Sequence, residues 1–220
     1  MTAAGATRRT ILRDALAIGL ATGAYGVSFG AISVAAGLST AQTCTLSLLM
    51  FTGGSQFALV GGAASPGAAA AAAVLLGVRN ALYGIRLAPT LRARGLRRFA
   101  AAQLVIDESA AMTVGQARAD AGRLAFWATG LAVFACWNLG TLTGALGGEA
   151  LDDPGRFGLD AAVPAAFLAL LAPTLHGREP WAVALGGAAV AITVTPLVPA
   201  GVPVLCAAGV AVLAGTRGPR

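Results

Sequence analysis

From residue 15 to residue 78 the chain contains no Asp, Glu, Lys or Arg. Few features restrict a fold more. About 20 predominantly apolar residues cross the ~30 Å hydrocarbon core of a bilayer as a helix, and 15–37 and 38–78 both exceed that length without a charge. Backbone in hydrocarbon must satisfy its own hydrogen bonds, which a helix does within one segment. Overall, 57% of residues are hydrophobic and 11% charged, against roughly 45–50% and 25% in soluble domains. The expected fold is all-α: a polytopic membrane helical bundle, with residues 1–220 as a single integral membrane domain.

Six full spans are predicted, at about 14–37, 67–91, 124–147, 159–175, 181–197 and 201–215. Two further apolar stretches are interrupted, 41–64 by Gly53-Gly54-Ser55-Gln56 and 99–117 by Asp107-Glu108. Short cytoplasmic loops are enriched in Lys and Arg, so Arg8, Arg9 and Arg13 place the N-terminus inside, with the basic loop at 92–98. The loop at 149–158, where Asp152 and Asp153 face Arg156 alone, belongs outside. These placements conflict if 41–64 crosses fully, and agree if it is broken or re-entrant. The same parity makes 99–117 broken or re-entrant, because Arg118 and Arg123 also favour the inside. Irregular backbone at membrane depth is tolerated where it lines a cavity or is buried in protein. Residues 181–215 are either two short spans or one long helix unwound at the prolines. Arg217 and Arg220 favour an inside C-terminus.

Several classes are set aside. Arg8, Arg9 and Arg13 precede an apolar run too long for a signal-peptide core, so the first span is retained. Cys44, Cys136 and Cys206 lie far apart in apolar sequence and read as buried small hydrophobes, with no disulfide frame or metal site. All fifteen basic residues are Arg, and they carry topological information; no nucleic-acid partner is expected. His176 is the only histidine, so Ser55 lacks a base at membrane depth, and no enzyme activity is expected. No nucleotide-binding motif is present. No cofactor is expected.

The chemistry then rests on polar residues inside apolar stretches. A charge in hydrocarbon costs ~2.5–3.5 kcal/mol on insertion scales and faces a partner or a wet cavity. Arg79, Tyr83 and Arg86 share one helix face at i, i+4 and i+7. Arg79, with Asn80 beside it, suits a carboxylate, either a substrate's or that of Asp107 or Glu108; an Arg79–Asp107 pair that only locks the bundle is the competing explanation. Arg86 is expected to snorkel to the inner surface. Asp107 and Glu108 suit proton coupling, with Gln103 on the face of Asp107 and Ser109, Thr113 and Gln116 forming a second polar stripe. The alternative is a short interfacial helix whose acids see water. Gly53 and Gly54 permit close backbone approach to an anionic group, with Ser55 and Gln56 following; packing of small residues is the plainer explanation.

The phrases GVSFGAISVAAGLS (26–39), LLMFTGGSQFALVG (48–61), VRNALYGIRLAPTLR (78–92), QLVIDESAAM (103–112) and WNLGTLTGALGG (137–148) occur in this order. Together they resemble the AzlC-type permeases over about residues 15–175. The resemblance implies the large subunit of a branched-chain amino acid exporter of the bacterial inner (cell) membrane, partnered by a small hydrophobic AzlD-type membrane protein. Asn80 stands where many members are expected to carry His.

A hydrophobic amino acid is a zwitterion that needs a cation, an acceptor and an apolar pocket. Arg79 or backbone N–H groups near Gly53 and Gly54 meet the first need, Asp107 or Glu108 the second, and the small residues of 68–74 the third. Without a nucleotide site, the drive is a proton or ion gradient. A passive channel for small polar solutes and a non-transporting assembly subunit are the alternatives.

Overall fold

In the computed structural model, which describes residues 8–62, 65–149, 168, 171–172, 175–198 and 202–216, all regular structure is helical. The helices are α1 (Arg8–Ala35), α2 (Thr40–Leu49), α3 (Gly54–Gly61), α4 (Pro66–Leu91), α5 (Leu96–Gln103), α6 (Asp107–Val114), α7 (Ala119–Glu149), α8 (Arg178–Val194) and α9 (Val202–Thr216). Of these, α1, α4 and α7 are long and apolar enough to cross a membrane. Contacts divide the chain into two units, Met1–Gly53 with Gly77–Leu159 and Gly54–Leu76 with Asp160–Arg220.

The first unit is organised by α1 and α7. Gly19 lies against Ala132, Gly23 against Cys136, Gly30 against Thr141 and Gly148 against Ala31, so the two helices run in the same direction. A methyl group on Gly30 would collide with the carbonyl oxygen of Thr141, and one on Gly144 with that of Val27. Lipid supplies no hydrophobic drive between helices, so this backbone-to-backbone packing is what holds the pair. Arg8 shares a cleft with Gln116 and Arg118 at one end. At the other end, Thr40 Oγ1 donates to Glu149 Oε1 at 2.6 Å. The pair thus has a basic end and an acidic end.

Helix α1 stops in a glycine-terminated cap, where Gly37 at φ +95° allows its N–H to reach Val34 and that of Leu38 to reach Ser33. Ser39 then opens α2 with a capping box: its hydroxyl accepts from the Gln42 N–H while its own N–H donates to Gln42 Oε1. From the acidic end α2 runs inward past the Ser47–Thr141 hydroxyl pair (3.2 Å). It ends near Phe51, whose ring meets Phe134, the middle residue of α7, at 4.9 Å. From the basic end, α5 leads to Leu104 against Gly130, and α6 returns to Thr113 against Gly122. Helix α4 also finishes there, with Thr90 against Gly122 and accepting from Arg123.

Both segments singled out by charge parity are therefore broken, 41–64 into α2 and α3 and 99–117 into α5 and α6. The break corrects one expectation. Gln103 and Asp107 do not share a helix face, because Leu104, Val105 and Ile106 interrupt the helix between them. Residues 159–175 fall almost wholly outside the described residues, as do Asp152 and Asp153.

In the second unit, α8 and α9 form an antiparallel pair, Gly186 meeting Val210 and Gly187 meeting Ala207. Residues 181–215 are thus two short helices, of 17 and 15 residues over their full bounds, each below the ~20 that span a bilayer upright. The cysteines are less enclosed than expected: Cys44 and Cys136 are half-buried, and Cys206 is exposed. Cys136 stands against Gly23 in the α1–α7 seam, and α9 leaves much of its surface uncovered. All three are free thiols.

Candidate functional site at the helix breaks

The first break spans residues 50–53. Gly53 takes φ +56°, a conformation that L side chains rarely adopt, and a Cβ there would meet only Trp137, at 3.9 Å. Trp137 is packed edge-on by Tyr25 at 5.6 Å and stacked with Phe29 at 6.1 Å. The chain then enters α3 through Gly54, Ser55 and Gln56, which belong to the second unit. Ser55 and Gln56 are buried, and the Ser55 hydroxyl has no hydrogen-bond partner among the described residues.

The second break is stitched by one side chain. Ser109 Oγ accepts from the Ile106 N–H at 3.1 Å and lies 2.7 Å from the Leu104 carbonyl, to which it donates. Thr113 donates to the Ser109 carbonyl at 2.6 Å and Gln116 to that of Met112 at 3.3 Å, so the expected polar stripe is spent largely on local backbone. Gln103 donates to the carbonyl oxygen of Leu48 at 2.8 Å, with that of Leu49 at 3.4 Å. These are terminal carbonyls of α2, which lack helical partners.

Asp107 and Glu108 open α6, where the helix dipole favours negative charge. Arg79, halfway along α4, places Nη2 2.6 Å from Asp107 Oδ2. One turn on, Tyr83 stands beside the same carboxylate. Glu108 is half-buried beside them. The paired side chains are 40% and 33% exposed, so the ion pair is not sealed. Arg79 Nε and Asn80 Oδ1 are buried without a hydrogen-bond partner among the described residues. Unmet donors and acceptors beside an open ion pair are what a polar ligand requires.

Of the sequence-predicted residues, Arg79, Tyr83, Asp107 and Glu108 come together, and Gly53 marks the other break of the same unit. Gly54, Ser55 and Gln56 lie in the second unit. Arg86 is exposed and lines a cleft with Thr90, Gln116 and Arg118 at the basic end. Asn138 donates to Phe134 in its own helix at 2.8 Å. Among the described residues no group of three His, Cys, Asp or Glu is placed to hold a metal. Sequence reasoning passed over Tyr25, Phe29 and Trp137, which carry no charge to mark them. It paired Gln103 with the wrong partner, and only the break reveals where that amide goes.

A family model described as AzlC protein matches residues 17–151, a stretch that contains both breaks, about two thirds of α1 and all of α7. Comparisons with curated proteins and with solved structures find no match.

Proposed function

The chain belongs to the AzlC family of membrane transport proteins, and on that premise we propose that it is the large subunit of an exporter of branched-chain or similar hydrophobic amino acids. Its 220 residues act as one permease domain in the bacterial inner membrane, beside a small AzlD-type membrane protein. A proton or ion gradient drives it, and it performs no enzymatic step.

The observation that carries this reading is the partly open Arg79–Asp107 pair at a helix break. A zwitterion presents a carboxylate to the guanidinium and an ammonium to the carboxylate, so both halves of the pair exchange one partner for another. Tyr83 supports the carboxylate side, and Asn80 supplies a buried amide oxygen within the same turn of α4. Broken helices near the midplane are where transporters bind substrate and coupling ions.

The topology proposed is six crossings, with 41–64 and 99–117 re-entrant from opposite sides and both termini cytoplasmic. The gathering of Arg8, Arg86, Arg118 and Arg123 at one end of the first unit, with Glu149 at the other, supports it. Reconstitution into proteoliposomes with the AzlD-type partner tests the function. Saturable counterflow of leucine is expected. Non-saturating conduction would make the protein a channel, and no flux with either neutral or charged solutes would make it an assembly subunit.

A further inference from the structure

Helices α1, α2 and α3 are followed by α4, α5 and α6 in the same long–short–short order. Corresponding boundaries are displaced by similar amounts: 8 to 66, 35 to 91, 40 to 96, 49 to 103, 54 to 107 and 61 to 114 are shifts of 58, 56, 56, 54, 53 and 53 residues. At a shift of 54, Gly23 falls on Gly77, Phe29-Gly30 on Tyr83-Gly84, and Ser55, Val60 and Gly61 on Ser109, Val114 and Gly115.

The directions are opposed. Helix α1 starts at the basic end, whereas α4 finishes there. Helix α2 descends from the acidic end, beside Glu149, to Phe51 at Phe134, whereas α5 leads inward from the basic loop to Leu104 at Gly130. Those two depths are four residues apart on α7, about 6 Å along its axis. At that depth the amide of Gln103 donates to the carbonyl of Leu48 and lies near that of Leu49, linking one break to the other.

We infer that residues 8–53 and 66–107 are two copies of one unit, a long helix followed by a short helix that stops at a break, inverted relative to each other, and that Gln103 is the positioning residue that couples their breaks. Inverted repeats let a midplane site open to either side when the two halves trade conformations. In its use for transport this inference rests on the proposed function, and its architecture stands apart from it. The copies have diverged where chemistry is placed: Gly53 corresponds to Asp107 and Tyr25 to Arg79, so one break is lined by aromatic rings and the other by an ion pair.

Single cysteines in the full-length, otherwise cysteine-free protein test the repeat with a membrane-impermeant maleimide. Position 41 is expected to label only from outside, and position 94 only from inside. Labelling of 41 and 94 from the same side overturns the inversion. The experiment needs no transport, so a chain that moves no amino acid still passes or fails it.

For the coupling, Gln103→Glu keeps the shape and loses the donor, while Gln103→His keeps a donor. With Thr52→Cys as reporter in the first break, Gln103→Glu is expected to raise the labelling rate about tenfold, the loss of one hydrogen bond. Gln103→His should return it to within about twofold of the parent. A rate unchanged in Gln103→Glu, or raised equally in both, removes Gln103 as the coupling residue.

Discussion

Helices α1 and α7 are held differently from α4, although all three have the length and hydropathy of a membrane span. In the most apolar window of each, 39% of α1 and 44% of α7 is buried, against 17% of α4. The first two interlock through glycines that admit no side chain, whereas the half of α4 that lies in the first unit, residues 77–91, meets that unit at Arg79, Gly84, Thr90 and their neighbours. The seam is a frame with one solution. Helix α4, which carries the guanidinium, has surface left for movement, lipid or a partner.

The sharpest way to break this contrast is to place a side chain in the seam. Gly30→Leu or Gly144→Leu forces α1 and α7 apart at backbone contacts, where overpacking costs ~3 kcal/mol or more. Loss of the monodisperse peak in detergent size-exclusion chromatography is expected. Leucine at Gly84 on α4, where a Cβ meets only Val105 at 4.0 Å, should leave that peak in place. Equal damage at both sites would show that the seam is no more rigid than α4.

Next in size is the loss of one charge. Arg79→Leu strands Asp107 and is expected to abolish leucine counterflow. Its stability cost should fall below the ~3–5 kcal/mol of a sealed pair, since both side chains remain partly exposed. Asp107→Asn should lower flux about tenfold, or ~1.4 kcal/mol in free energy. Glu108→Gln should lower it less, because Arg79 contacts Asp107. Normal flux and unchanged pH dependence in both variants would remove the acids from the mechanism.

The smallest effect is expected at the rim. Thr40→Ala removes an exposed hydrogen bond to Glu149 and should cost at most ~1 kcal/mol, read as a small fall in Tm with flux retained. A loss of flux there would move the functional centre toward the acidic end.

How far these features were legible in the sequence depended on what marked them. Charge is scarce in this chain, so every charge within an apolar stretch carried information. Arg79 and Asp107 were the natural partners, and arginine parity located both broken elements. Helical periodicity misled where the helix stops: carried through Leu104, Val105 and Ile106, it paired Gln103 with Asp107, when the amide serves α2. Glycine was ambiguous for a different reason. The glycines of the seam and the glycine of the break look alike as letters, and only Gly53, at φ +56°, uses conformational freedom, while Gly30 and Gly144 are required by close approach. Cys206 is exposed because an apolar helix need not be a covered one.

Arg79 and Asp107 either serve the substrate or only brace the bundle. The double variant Arg79→Leu/Asp107→Leu leaves neither charge stranded. Measured as leucine counterflow in proteoliposomes, alongside detergent size-exclusion chromatography, it is expected to give a folded protein without transport. Recovery of both folding and flux would make the ion pair a brace and contradict the account.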